Sequence, residues 1–280
     1  MTGLILIEGI PGSGKTTFAK KIAERYRQRS RVVNLFLEGP GHPVDLGWYA
    51  CFSVSQYNDL IGRFNNYHDE IEQVAIFDGE YVLVPYSKKK FDDKDLSNKF
   101  DDFEVYTGRT RIVEEVCLEL LCNRWKAFGE QEKNTNALNI FEAGFFQSQM
   151  ERLLLWDNAD DKIITTHLSK IMDTVSCLSP VLIYLSQPES HETILRIAKE
   201  RVSEHSSWIE SVISHCEPSP FWRQNNLSGL EGVLKFYTMR KRLELKIIDQ
   251  LSIQCRVIEN YNCDWDKVWA EIEMFLDKIE

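Results

Sequence analysis

Apolar and polar positions along this chain alternate in blocks that predict strands and helices in turn. Leu4-Ile5-Leu6-Ile7 is an unbroken apolar run, the composition of a strand buried on both faces. From Thr17 to Tyr26 the apolar residues Phe18, Ala19, Ile22, Ala23 and Tyr26 recur at helical spacing. A second strand is predicted over Arg31–Leu37, stopped by the turn cluster Glu38-Gly39-Pro40-Gly41, and a helix is predicted after Tyr49, running to residue 66. Val74-Ala75-Ile76-Phe77 and Tyr81-Val82-Leu83-Val84 flank Asp78-Gly79, a dipeptide that accepts positive φ, so residues 73–86 predict a hairpin. Residues 87–102 read as a charged turn. Arg109–Phe128 reads as a helix through Ile112, Val113, Val116, Leu120, Leu121 and Trp125, and Glu130–Asn136 as a polar linker. Leu138–Glu142, Pro180–Leu185 and Arg256–Ile258 read as further strands, with a terminal helix from about Trp265.

Strands separated by helices imply an α/β fold, a three-layer sandwich in which helices cover both faces of a mostly parallel five-stranded sheet. One domain is expected over 1–280. The hairpin breaks its rhythm, so 55–137 is expected to be an inserted β-hairpin and helical segment over the sheet's carboxyl edge, where ligands bind in such folds. The sequence shows no internal repeat and no low-complexity tract.

The strongest chemical signal lies between the first strand and the first helix. Gly9-Ile10-Pro11-Gly12-Ser13-Gly14-Lys15-Thr16 fits the phosphate-loop pattern G-x-x-x-x-G-K-[ST], and Thr17 continues into the helix. Glycines let backbone N–H groups curl around the β- and γ-phosphates, and the helix N-terminus adds its positive dipole end. Gly9, Pro11, Gly12, Ser13, Gly14, Lys15, Thr16 and Thr17 are therefore the expected nucleotide contacts. Lys15 would supply a cation to the transferring phosphate, and the Thr16 hydroxyl would ligate Mg²⁺. The cofactors predicted are ATP and Mg²⁺.

Composition narrows the partners. The 33 basic and 43 acidic residues leave a net charge of −10, which argues against nonspecific binding to nucleic acid or to a membrane surface. No stretch approaches the ~18 apolar residues of a membrane span. No charged leader or cleavage site precedes the first apolar run. The seven cysteines are scattered without a C-x-x-C pair, so reduced thiols, no zinc site and a cytoplasmic protein are expected. A homodimer stays open.

A magnesium–triphosphate site needs an acid at the end of a neighbouring buried strand, and Glu142 has that placement. Glu38 ends the second strand at the same edge and could take a proton from an acceptor hydroxyl. Arg196 and Arg201, on the helix after the fourth strand, could close over the phosphates within a lid at 187–229. Two decoys fall away. Asn98-Lys99-Phe100-Asp101 matches the guanine-reading N-K-x-D but no apolar strand precedes it, and Leu227-Ser228-Gly229-Leu230-Glu231 reads as a helix start capped by Ser228.

With these positions assembled, the chain resembles the nucleoside and nucleotide kinases of the P-loop superfamily, in particular the deoxynucleoside kinase and thymidylate kinase group. Gly-Ile-Pro-Gly-Ser-Gly-Lys-Thr-Thr is close to their phosphate loop. Leu35-Phe36-Leu37-Glu38-Gly39-Pro40, with Trp48 beyond it, is similar to a second-strand ending whose glutamate serves as catalytic base. Ile140-Phe141-Glu142 falls where the family has an acid followed by arginine, and Leu182–Leu185, Pro188-Glu189 and Arg196–Arg201 resemble the fourth strand and the arginine-bearing lid. Ala143 departs from that pattern, standing where the arginine of the acid–Arg pair would be.

The reading that follows is a kinase that moves the γ-phosphate of Mg-ATP to a small-molecule acceptor, a nucleoside or nucleotide first. Asp45, Trp48, Tyr49 and Arg109, with Glu38, are the expected acceptor contacts. An aspartate holds sugar hydroxyls, and aromatic rings stack a flat ring. The segment 55–137 would form an acceptor-side cap. A sugar or antibiotic hydroxyl as acceptor is one alternative; a non-kinase NTP-binding regulatory protein is another, which Ala143 favours.

Overall fold

Four consecutive residues, Leu4, Ile5, Leu6 and Ile7, have no solvent exposure, as an apolar run of that length requires. They form the body of β1 (Leu4–Glu8), which lies at the centre of a five-stranded sheet. The computed structural model describes residues 2–89, 91–106, 114–188, 190–202, 207–260 and 264–280. The chain divides into two units, one made of Met1–Glu38 with Trp125–Glu280 and the other of Gly39–Arg124.

The first unit opens with β1, α1 (Lys15–Gln28) and β2 (Val33–Phe36). The second holds β3 (Tyr49–Ser53), α2 (Val54–Arg63), α3 (His68–Val74), β4 (Ile76–Asp78), β5 (Tyr81–Pro85) and α4 (Lys94–Asp102). α5 (Glu114–Glu132) crosses the division. The first unit then continues through β6 (Leu138–Glu142), α6 (Gln147–Met150), a π-helical segment at Glu151–Trp156, α7 (Asp161–Thr174) and β7 (Val181–Ser186). It ends with α8 (Ser190–Glu200), α9 (Trp208–Cys216), α10 (Pro220–Gln224), α11 (Gly229–Ile248), β8 (Gln254–Glu259) and α12 (Trp265–Ile279).

Strand order in the first unit is β2-β6-β1-β7-β8, and every pairing is parallel. Alternation along β1 divides its side chains between two helical layers. Ile5 and Ile7 face a core built with Phe18, Ile22 and Tyr26 of α1 and Val268, Ile272 and Leu276 of α12. On the other face Phe141 of β6 meets Trp125 and Phe128 of α5, with ring centroids 5.6 and 5.0 Å apart, and Tyr184 of β7 meets α11. The result is an α/β three-layer sandwich, with its five-stranded sheet parallel throughout.

The second unit contains a three-stranded antiparallel sheet, ordered β3-β5-β4. The predicted hairpin is there as β4 and β5, turning at Gly79 with φ +58°. Two local expectations are corrected. Residues 50–53, expected as the start of a helix, belong to the strand Tyr49–Ser53, because Ala50 and Phe52 bury themselves against the remote partner Tyr81–Pro85. Helix α2 starts only where Ser53 and Gln56 form a capping box. Residues 94–102, expected as turn, form a helix capped by Asp93 and held by buried Leu96 and Phe100. The N-K-x-D decoy lies inside that helix.

Smaller differences have the same character. The linker expected from Glu130 is helical to Glu132. Ser228 sits at the N-cap of α11 but makes no side-chain capping bond, and Gly229 enters the helix at φ +51°. Arg109, Ile112, Val113 and Glu189 lie outside the described residues.

Candidate phosphate site

The phosphate loop is shaped by its glycines. Gly9, Gly12 and Gly14 all have positive φ, at 144, 76 and 96°. A Cβ on Gly12 would fall 2.2 Å from Ile197 Cδ1, and one on Gly14 would fall 2.7 Å from the Trp265 ring. The loop is therefore clasped by α8 and α12, with room for backbone alone. Asn260 adds a bond from Nδ2 to the Ser13 carbonyl at 3.0 Å. No side chain caps α1, so its first N–H groups keep their capacity for a ligand.

Lys15 is 6% exposed and its Nζ donates to the carbonyls of Gly9 at 2.9 Å and Ile10 at 3.4 Å. Burial lowers its pKa, and the carboxylates of Glu142, Glu38 and Glu8 act against that shift. Thr16 and Thr17 are exposed. Ser13 Oγ is buried with no hydrogen-bond partner among the described residues. An orphaned hydroxyl in a glycine cradle, with a lysine at its mouth, suits a phosphate chain.

Glu142 and Glu38 meet at the carboxyl edge of the sheet. Glu142 is buried in register with Ile7 of β1, and its Oε2 accepts from the Glu38 backbone N–H at 3.0 Å. The Glu38 side chain is exposed and accepts from Gln147 Nε2. A carboxylate and the Thr16 hydroxyl are oxygen donors of the kind Mg²⁺ prefers, so the residues present fit the metal. Ala143 follows at φ +61°, its N–H bonded to the Ile7 carbonyl at 3.1 Å.

The two arginines expected on a lid differ. Arg196 Nη2 donates to the Gly12 carbonyl at 3.2 Å, while its Nη1 pairs with Glu200 at 3.2 Å. Arg201 is exposed and lies over the Trp208 ring at 5.8 Å.

Several buried groups of this site escape a reading of motifs. Glu8, directly before Gly9, has no exposure; its Oε1 accepts from the Phe145 N–H at 2.7 Å and its Oε2 has no partner among the described residues. Burial pushes its pKa up to about 8, against backbone hydrogen bonding and the Lys15 charge. Tyr184 pairs with Glu8 in register, and its hydroxyl donates to Glu244 Oε2 at 2.6 Å. Arg240 Nε donates to Glu244 Oε1 at 2.6 Å. An acid ending an apolar strand is the one sequence signal that points to Glu8. Nothing local in the sequence marks Arg240 or Glu244.

Of the expected acceptor contacts, Glu38 belongs to the first unit and Asp45, Trp48 and Tyr49 to the second. Asp45 Oδ1 accepts from the Gly47 N–H at 3.3 Å, closing a local turn. Trp48 is 41% exposed at φ +60°, and its N–H donates to Glu104 at 3.1 Å. Tyr49 is buried, with the Arg124 guanidinium 4.8 Å over its ring and Arg124 Nη2 3.3 Å from its hydroxyl. Burial and the Arg124 charge push His42 down to about 4. Arg124, which no sequence motif marks, is thus the cation of this cluster.

No family model matches this chain, and no curated protein matches its sequence. Solved structures that resemble it include two of deoxyadenosine kinase from M. mycoides. One, with products dCMP and a flexible dCDP bound, is 14% identical; the other, with bound dATP, is 15% identical. Each comparison covers 99% of this chain and 98% of the other, at a TM-score of 0.36. Among the described residues, no helix is long and apolar enough to cross a membrane.

Proposed function

We propose that this protein is an ATP-dependent phosphotransferase that moves the γ-phosphate of Mg-ATP to a small acceptor, a nucleoside or nucleotide. The observation that carries the reading is Lys15, buried at the head of α1 inside a glycine loop, with Glu142 at the end of the adjacent strand. Bound Mg²⁺ would neutralise charge on the phosphate oxygens, held through Thr16 and Glu142. The loop N–H groups orient the phosphate chain, and Lys15 leaves its two loop carbonyls to meet the transferring phosphate. Arg196, already bonded to the loop, adds a second cation from α8. Glu38 takes the proton of the acceptor hydroxyl at its exposed carboxylate. Asp45, Trp48 and Tyr49, with Arg109, would contact the acceptor within a cap, and 187–229 would act as the lid.

The test is incubation with γ-labelled ATP, Mg²⁺ and a pool of nucleosides, nucleotides and sugars. Label on a nucleoside or nucleotide supports the reading. Label on a sugar moves the acceptor class, and ATP binding without transfer to any acceptor overturns the kinase.

A further inference from the structure

α11 carries a buried cation whose outer edge is unengaged. Lys241 Nζ bonds the carbonyls of Gln187 and Pro188, just past β7, while Glu244 meets Tyr184 within β7. Arg240, next to Lys241 and one turn before Glu244, therefore stands level with the carboxyl edge of the sheet. At that edge Glu8, in register with Tyr184, hands the chain to the phosphate loop. Arg240 is 3% exposed and Glu244 fully buried. Nε is held by Glu244, and Nη2 is buried with no hydrogen-bond partner among the described residues.

Leaving a buried guanidinium nitrogen unpaired is costly, so an arrangement that keeps it is expected to complete it with a ligand. The orientation is over-determined. Glu244 is pinned by the Tyr184 hydroxyl, and the Arg240 guanidinium lies 6.0 Å over the Tyr237 ring. Tyr237 in turn stacks on Trp208 at 6.3 Å, and Arg201 caps Trp208 at 5.8 Å. This column of two stacked rings between two cations runs from the exposed Arg201 to the buried Arg240. After burial, Arg240 is among the charges that lower the Lys15 pKa.

We infer that Arg240 is a phosphate-contacting residue of this site, its Nη edge receiving an oxygen of the γ-phosphate of bound ATP. The inference rests on the nucleotide-binding reading above. Glu244 and Tyr184 are positioning residues for it. A guanidinium edge suits an oxyanion because two N–H groups can point at it in parallel.

The experiment is calorimetric titration of the full chain with MgATP and, separately, with MgADP. Arg240→Lys retains the charge without the fork. The double variant Arg240→Met with Glu244→Met removes the buried pair together, which leaves no uncompensated charge and tends to preserve the fold. Both are expected to weaken MgATP about 10- to 100-fold, the scale of a hydrogen bond to a charged group. MgADP should stay within about twofold. Equal losses for both nucleotides, or no loss for either, overturn the role of Arg240. A wild-type chain that binds neither nucleotide overturns the nucleotide-binding reading, and this assignment with it.

Discussion

The backbone N–H of Glu38 donates to Glu142 Oε2 at 3.0 Å, tying the end of the second strand to the acid that ends its neighbour. One carboxylate thus fixes the turn that carries a second carboxylate, and under the proposed function it would also offer oxygens to a metal.

Those tasks separate by substitution. Glu142→Gln keeps an amide oxygen for the Glu38 N–H but loses the charge. It is expected to lower phosphotransfer at least about 100-fold and to raise the Mg²⁺ concentration needed for half-maximal rate. Glu142→Ala also strips the N–H of its acceptor, adding about 1–3 kcal/mol of lost stability in denaturant unfolding. Unchanged magnesium dependence in Glu142→Gln would remove the metal assignment.

Glu38→Gln is expected to abolish turnover and leave ATP affinity nearly intact, because under the proposed function the exposed side chain acts on the acceptor, and the amide can still meet Gln147. Single-turnover kinetics beside ATP binding checks this; full activity in the variant would show that another group takes the proton.

Gly12→Ala places a methyl group 2.2 Å from Ile197 Cδ1 at a φ of +76°. Loss of nucleotide binding is expected, with about 1–3 kcal/mol of destabilisation from strain and overpacking. Adding Ile197→Ala should recover the packing share of the stability and not the share due to φ. Thermal unfolding of the two variants resolves the split, and full recovery in the double variant would argue that backbone strain is negligible.

Glu8 makes stability depend on pH. Its folded-state pKa of about 8 lies above the 4.5 of a free glutamate, so between those values the folded chain holds a proton that the unfolded chain has released. The folded state is least penalised below pH 4.5, where both states are protonated, and it loses stability steadily as pH rises from there to about 8. The span corresponds to roughly 5 kcal/mol at most. Glu8→Gln is expected to flatten that part of the stability curve, measured by urea unfolding from pH 5 to 9. An unchanged slope would mean that another group carries it.

Much of this architecture is legible in the sequence because its signals are contiguous. The runs at Leu4–Ile7, Leu138–Glu142 and Val181–Leu185 each announce a buried strand without knowledge of their partners, and the periodicity from Phe18 to Tyr26 announces α1. The strand Tyr49–Ser53 escapes such a reading because its neighbours in sequence are turn and helix, while the contacts that make it a strand come from Tyr81–Pro85. Residues 94–102 are hidden by their charge, since only Leu96 and Phe100 mark the inner face of α4.

Sequence alone is enough to mark the glycine-rich loop and its lysine. Gly9, Gly12, Gly14, Lys15 and Thr16 lie close together along the chain, and their chemistry requires little beyond a strand before and a helix after. Tertiary structure alone decided which distant charges join them. Tyr184 and Glu244, sixty positions apart, meet because β7 turns Tyr184 to the face that α11 covers. Arg240 becomes a buried cation, bonded to Glu244, through that same packing. Periodicity shows which face of an element is apolar, but the partner of a buried charge depends on which two faces meet, and only the folded chain decides that.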